Sequence, residues 1–286
     1  MKRKNHAILL IHCRDRKGLL SVITQFLYKH NGNIVELDEH VDKEEGIFFM
    51  RVEWELVGFD IEEEKIAGAL EDHILKTYDM KWQLFFTRKK PRMAIFVSKA
   101  SHCLYDILSR QYSQEWQIEI TSIISNHQRH EEVANRYNIP FHFFEVNKHN
   151  KQEIEQKQVA LLKELKVDFL ILARYMQILS DQFIAEFPNK IINIHHSFLP
   201  AFAGAKPYHQ AYERGVKIIG ATSHYVTTDL DAGPILEQEV TKISHKDSVE
   251  DLIRKGKDLE KIVLSRAIWI HLQRKALVHK NKTIIF

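Results

Sequence analysis

The chain has 286 residues, 44% of them hydrophobic, which is enough to fill two ordinary domain cores or one large one. Its 41 Lys and Arg against 38 Asp and Glu leave a net charge of +3, too even a balance for a nucleic-acid footprint or a membrane patch, although anionic small molecules remain suitable ligands. Two cysteines, Cys13 and Cys103, stand far apart without metal-ligand spacing, which predicts a reducing compartment and no disulfide framework.

The chain opens on a basic stretch, but the apolar run behind it extends only from Ala7 to Ile11 before His12, Arg14, Asp15 and Arg16 break it. Neither a signal peptide nor a membrane span is expected there, and the expected location is cytoplasmic. From His6 to Phe86 the hydrophobic period changes in a regular order. "HAILLIHC" reads as a strand, and "RKGLLSVITQFLYKHNGN" as a helix ending at Gly32. "NIVELDEHV" and "GIFFMRVEWEL" alternate, "DIEEEKIAGALEDHIL" is a charged amphipathic helix, and "DMKWQLFF" is a last strand. This βαββαβ order predicts a four-stranded antiparallel sheet with both helices on one face, a ferredoxin-like domain over residues 1–86. "TRKKPR", Thr87 to Arg92, is a charged, proline-bearing connector.

A second domain, residues 91–286, then alternates apolar strands ("MAIFVS", "IEITSIISN", "PFHFFEV", "VDFLILA", "KIINIHH") with helices. Continuous apolar strands joined by helical crossovers imply a mostly parallel, Rossmann-like α/β sheet covered on both faces, with ligands bound beyond the carboxyl ends of the strands. Beyond Gly215 the chain is β-rich through "VKIIGATSHYVTTDLDAGPILEQEVTKI", then closes with a helix from Ser248 to Lys275 and a terminal "KTIIF" strand.

The strand "KIINIHHSFLPAF", Lys190 to Phe202, ends in nitrogen-rich side chains. Side chains alternate across a strand, so Asn193 and His195 share one face, while Ile192, Ile194 and, if the strand continues, His196 share the other. An amide that donates to a developing oxyanion and an imidazole that shuttles a proton or donates beside it form a catalytic pair that still needs a carboxylate. Asp229 and Asp231, in the Gly- and Pro-bearing loop "TTDLDAGPI", are the candidates. A metal site from His195, His196, His209 or His224 with Asp231 is the alternative. Adjacent histidines on a strand face opposite ways, however, and no Cys or HExxH spacing supports it. A buried histidine is also more often a satisfied core residue than a catalyst.

"INIHHSFLPAFAGAKPYHQAYERGVKIIGATSHYVTTDLDAGPILEQ" closely resembles the folate-dependent formyl transferase and hydrolase domain. The family pattern of Asn, any residue, His and a later Asp before a small residue and Gly falls on Asn193, His195 and Asp231. "LARYMQILS", Leu172 to Ser180, resembles the family's pterin-binding segment. The resemblance therefore implies substrate-binding roles for Tyr175, Met176, Gln177, Ile178 and Leu179, although Met176, Ile178 and Leu179 on sequence alone read as packing. His224, facing the same loop, is counted with the substrate-binding residues, with orientation of Asp231 and a structural role as alternatives, and Lys206 to His209 are expected to form a loop near the folate.

"CRDRKGLLSVITQFLYKHNGNIVELDEHVD" with "GIFFMRVEW" is similar to the ACT domain, an amino-acid-sensing module found at the start of the formyltetrahydrofolate deformylases. The related glycinamide ribonucleotide formyltransferases lack that module and carry a glycine-rich phosphate loop after their first strand. Here "VSKASHCL", Val97 to Leu104, has no glycine, and His196 stands where the transferases commonly have proline. The resemblance thus implies a hydrolase that splits 10-formyltetrahydrofolate into tetrahydrofolate and formate, balancing the one-carbon folate pool and supplying formate for purine biosynthesis. It implies water as acceptor, neither cofactor nor metal, and Asn193 and protonated His195 on the oxyanion with Asp231 orienting His195 or relaying a proton. An amino-acid effector is implied at Asp15 to Leu20 and Asn31 to Ile34, and pairing of ACT sheets implies a dimer or tetramer.

Overall fold

Residues 5–201 and 207–286 are described by the computed structural model, and they fall into two units. The first holds the chain through Lys90 together with Arg274–Leu277 and Ile284–Phe286; the second holds Pro91–Gln273 and Val278–Thr283.

In the first unit β1 (His6–Arg14), α1 (Leu19–Lys29), β2 (Ile34–Asp42), β3 (Ile47–Glu55), α2 (Glu63–Leu70) and β4 (Lys81–Phe86) follow in the expected order, with a π-helical turn, Glu71–Leu75, prolonging α2. The strands form an antiparallel sheet in the order β2-β3-β1-β4. Alternation sends Leu9 and Ile11 of β1 and Met50, Val52 and Trp54 of β3 into one core with Leu19, Ile23 and Leu27 of α1 and Ile66 and Leu70 of α2. The opposite face is covered too. Leu10 and Phe49 pack with Leu277, and Ile284 and Phe286 join them. Arg51, on that same face, is 1% exposed; it pairs with Glu36 at 2.8 Å and Glu53 at 2.7 Å and donates from Nε to the Arg274 carbonyl at 3.2 Å. Burial on both faces is why β1 reads as a continuous apolar run although its sheet is antiparallel.

The second unit runs β5 (Arg92–Val97), α3 (His102–Tyr112), β6 (Glu119–Ser125), α4 (Glu131–Arg136), β7 (Phe141–Phe143), α5 (Lys151–Glu164), β8 (Phe169–Ala173), α6 (Asp181–Glu186) and β9 (Ile191–His195). It continues with α7 (Pro207–Arg214), β10 (Ile218–Tyr225), β11 (Ile235–Lys242) and α8 (Val249–Leu272), and the chain ends in a hairpin of β12 (Ala276–His279) and β13 (Lys282–Ile285). The seven-stranded sheet has the order β11-β10-β9-β8-β5-β6-β7, parallel from β7 to β9, with β10 and β11 antiparallel. Ala94, Phe96, Leu170, Leu172, Phe183 and Ile191 centre one core layer of this α/β fold. Helix α8 starts at a capping box between Ser248 and Asp251 and packs on β9, β10 and β11.

Two details differ from the sequence reading. Pro207 to His209 begin helix α7 instead of lying in a loop, as suits a proline at a first helical position, while Lys206 falls outside the described residues. The terminal strand is one arm of a hairpin, because helix α8 stops at Leu272 and leaves Ala276–His279 free to pair. Among the described residues no helix is long and apolar enough to cross a membrane.

Candidate active site

Strand β9 ends at His195, and its register with β10 builds the site. Antiparallel pairing sets His224 directly opposite Asn193 and Thr222 opposite His195, so Asn193, His195 and His224 share one face. The Asn193 amide nitrogen lies 3.3 Å from His224 Nε2. His224 Nδ1 is 2.9 Å from the Tyr225 carbonyl, which can only accept; Nδ1 therefore carries the proton, and Nε2 accepts from Asn193.

The loop from β10 to β11 brings the carboxylate. Asp231 Oδ2 stands 3.1 Å from His195 Nδ1 and Oδ1 stands 3.8 Å from His224 Nε2. Asp231 is in the left-handed region at φ 53, and a Cβ on Gly233 would collide with the Tyr225 carbonyl, so the loop closes this tightly only with glycine there. Burial works to raise the Asp231 carboxyl, but the hydrogen bond from His195 and its charge outweigh it and hold the group below the usual carboxylate range. His195 is 5% exposed, and its Nε2 has no hydrogen-bond partner among the described residues. An ionised carboxylate on Nδ1 leaves Nε2 as the working nitrogen, on the same face as the Asn193 amide.

His196 does not continue the strand. Its ring lies 5.2 Å from that of His195 and 5.9 Å from that of Tyr208, and burial, with the Arg174 guanidinium second, pushes its pKa down to about 3. Beside it lies a buried ion cluster that sequence reasoning missed. Glu260 of α8, 1% exposed, accepts from Tyr208 Oη at 2.7 Å, pairs with His102 Nε2 at 2.7 Å and lies 3.4 Å from Arg174 Nε. Burial works to raise its carboxyl, but the His102 hydrogen bond and the Arg174 charge hold it low. The signal was present: Glu260 sits among Gly256, Leu259, Val263 and Leu264 on the buried stripe of the helix, where an unpaired charge has no place. Among the described residues the one trio whose ligand atoms all lie within 4.8 Å is His102, Cys103 and Glu260, not the histidines around Asp231. Glu260 there already serves Tyr208 and Arg174, and burial pushes the Cys103 thiol well up.

The segment after β8 divides by exposure. Met176 and Ile178 are 60% and 61% exposed and Gln177 is half-buried, whereas Tyr175 and Leu179 belong to the core. The Tyr175 ring packs edge-on against Phe96, with its hydroxyl toward Gln158. Met176 and Ile178 are thus available to a ligand, the reverse of the packing reading, while the side chains of Tyr175 and Leu179 support the segment from within. Met176 N donates to Ser98 Oγ at 3.0 Å, which ties the segment to the end of β5.

Residues 91–268 match the formyl transferase family and residues 7–74 the ACT domain family. A formyltetrahydrofolate deformylase of Synechocystis sp. is 49% identical, covering 98% of both chains. One of Bacillus subtilis is 46% identical over 97% of this chain and 93% of its own. The crystal structure of a formyltetrahydrofolate deformylase from Pseudomonas syringae pv. tomato superimposes with a TM-score of 0.97 at 42% identity, over 100% of this chain and 96% of that one. With both modules matched in order and along the full length, the chain belongs to the formyltetrahydrofolate deformylase family.

Proposed function

We infer that the chain hydrolyses 10-formyltetrahydrofolate to tetrahydrofolate and formate, and that Asn193, His195 and Asp231 carry the reaction. The observation that carries the assignment of residues is the ion pair of Asp231 with His195 Nδ1 at 3.1 Å, which leaves a buried Nε2 beside the Asn193 amide. Water adds to the formyl carbon, and the carbonyl oxygen becomes an oxyanion that accepts from Asn193 Nδ2–H and His195 Nε2–H. The proton released by the attacking water is relayed through Asp231 to N10 as the C–N bond to the folate breaks, and formate leaves. Asp231 holds the imidazole in orientation and stabilises its cationic form; His224 turns the Asn193 amide. Met176 and Ile178 offer apolar contact to the pterin, with Gln177 beside them, on a segment whose shape Tyr175 and Leu179 maintain. No cofactor or metal is assigned a role.

The first unit is assigned to regulation by an amino acid, bound at the turns before and after α1, Asp15 to Leu20 and Asn31 to Ile34. The glycines of these turns serve the backbone: Gly18 has φ 93, and a Cβ on Gly32 would lie 2.9 Å from the Leu27 carbonyl oxygen at the end of α1. Pairing of these units would make a dimer or tetramer. Two free, buried cysteines suit a reducing, cytoplasmic setting. The test is release of tetrahydrofolate and formate from 10-formyltetrahydrofolate in buffer without an added acceptor, before and after metal chelation. A requirement for an amine acceptor would make the chain a transferase, and loss on chelation with return on added zinc would overturn the metal-free mechanism.

A further inference from the structure

The tip of the C-terminal hairpin bears on the loop that carries Asp231. Asn281, between β12 and β13, donates from Nδ2 to the Ala232 carbonyl at 2.9 Å, and the Thr283 hydroxyl donates to the Ile235 carbonyl. These two carbonyls bracket Gly233 and Pro234, so the loop is gripped on both sides of its tightest turn. The grip matters because Asp231, a non-glycine residue at φ 53, holds a conformation that persists only where its surroundings determine it. From within, the loop supplies little: Ala232 N reaches the Asp229 carbonyl at 3.3 Å, the Thr227 hydroxyl reaches that same oxygen at 3.2 Å, and Tyr225 N donates to the Pro234 carbonyl at 2.9 Å. None of these bonds holds the Ala232 carbonyl, one residue beyond the carboxylate. Asn281 and Thr283 belong to the same unit as the loop they hold.

We propose that Asn281, seconded by Thr283, is a positioning residue for the hydrolysis. By fixing the Ala232–Gly233 peptide it keeps the Asp231 carboxylate on His195 Nδ1, and with it the orientation of the imidazole that faces the formyl group. The proposal rests on the catalytic role assigned above to Asp231. Asn281 itself is exposed and touches no reacting atom, so its removal should not disturb the core.

The experiment compares wild type, Asn281→Ala, Thr283→Val, the double variant, Asp231→Asn, and Asn281→Ala in the Asp231→Asn background. Formate release gives kcat and KM, and thermal melting is followed in parallel. Misplacing a catalytic group by about 1 Å can cost roughly a hundredfold, so Asn281→Ala should lower kcat about tenfold and the double variant further, with KM and melting temperature near wild type. In the Asp231→Asn background Asn281→Ala should change nothing more, because the group it positions is gone. Wild-type kcat in both single variants beside an impaired Asp231→Asn overturns the proposal, and so does a loss of equal size in both backgrounds. An inactive wild type would sink the hydrolase reading itself, and a fully active Asp231→Asn the role of that carboxylate; either takes the proposal with it.

Discussion

Asn193 and His224 face each other across β9 and β10, the Asn193 amide nitrogen 3.3 Å from His224 Nε2. Because His224 Nδ1 is committed to the Tyr225 carbonyl, its Nε2 can only receive, and the amide is turned so that its NH₂ and not its oxygen faces His224. One N–H is then spent on His224 and the other is free for an oxyanion. His224→Leu, which keeps bulk and removes the acceptor, should lower kcat about tenfold with a small change in KM, whereas His224→Gln, whose side-chain oxygen can accept, should recover part of the loss. Equal losses in both variants would show that the amide is held by something else.

Removing either oxyanion donor has a larger expected effect. Asn193→Ala and His195→Ala should each reduce kcat roughly a hundredfold or more in hydrolysis assays, with circular dichroism unchanged. Asp231→Asn should match them, since it keeps shape and loses the charge that orients the imidazole. The depressed Asp231 carboxyl also makes a stability prediction. Its ionised form is favoured by folding, so its contribution is complete above the usual value of 3.8 and is lost as pH falls through the lower folded value. Asp231→Asn should therefore lose stability less steeply than wild type below about pH 4 in urea titrations. A parallel decline in both proteins would mean that Asp231 gains nothing from the His195 imidazole.

The sequence carries part of this site openly. The alternation of "IINIH" places Asn193 and His195 on one face, and the Gly233-bearing loop points to Asp231. The β–α alternation likewise marks the two units, because each crossover has to switch period. His196 was harder to place, since a strand's last residue depends on pairing with β10, which no local pattern specifies. Long-range contacts were beyond reach for the same reason. The Glu260 cluster joins residues from α3, α7, α8 and the turn after β8, and the buried Arg51 meets the carbonyl of Arg274 more than two hundred positions away. Tyr175 and Leu179 share a continuous motif with Met176 and Ile178; only the packed structure separates the buried pair from the exposed one.

His196 should leave a pH signature in stability. Folding drives its pKa from 6.5 to about 3, chiefly by burial and then by the Arg174 charge, so the folded protein holds it neutral where the unfolded chain protonates it. Between those values the unfolded state binds the extra proton; this contribution is complete above about pH 6.5 and is lost progressively as pH falls toward 3. His196→Asn should flatten the fall of melting temperature with acidification in that window. Its kcat at neutral pH should fall far less than that of His195→Ala, because the strand ends before His196 and its ring packs between His195 and Tyr208. If His196→Asn were folded yet as inactive as His195→Ala, the assignment of the working imidazole would have to move.

Two helix glycines should respond to alanine in opposite directions. In an exposed helix interior, Gly→Ala ordinarily stabilises by about 0.5–1 kcal/mol through backbone entropy. Gly68 in α2 has nothing within 4 Å of the position a Cβ would take, so Gly68→Ala should raise the melting temperature. Gly256 in α8 has the same backbone advantage to gain, but a Cβ there would collide with the hydroxyl and ring of Tyr208. Tyr208 cannot easily retreat: its hydroxyl donates to Glu260 at 2.7 Å, and Glu260 is in turn fixed by His102 and Arg174. Relief would have to come from breaking a buried charge-assisted hydrogen bond or from shifting α7 against α8, and overpacking of this kind costs on the order of 1–3 kcal/mol. Gly256→Ala should therefore lower the melting temperature and, because Tyr208 also supports the His196 ring beside His195, reduce kcat as well. A stabilised Gly256→Ala variant with full activity would show that Tyr208 and Glu260 separate at little cost, and that the buried ion cluster does not brace the end of β9.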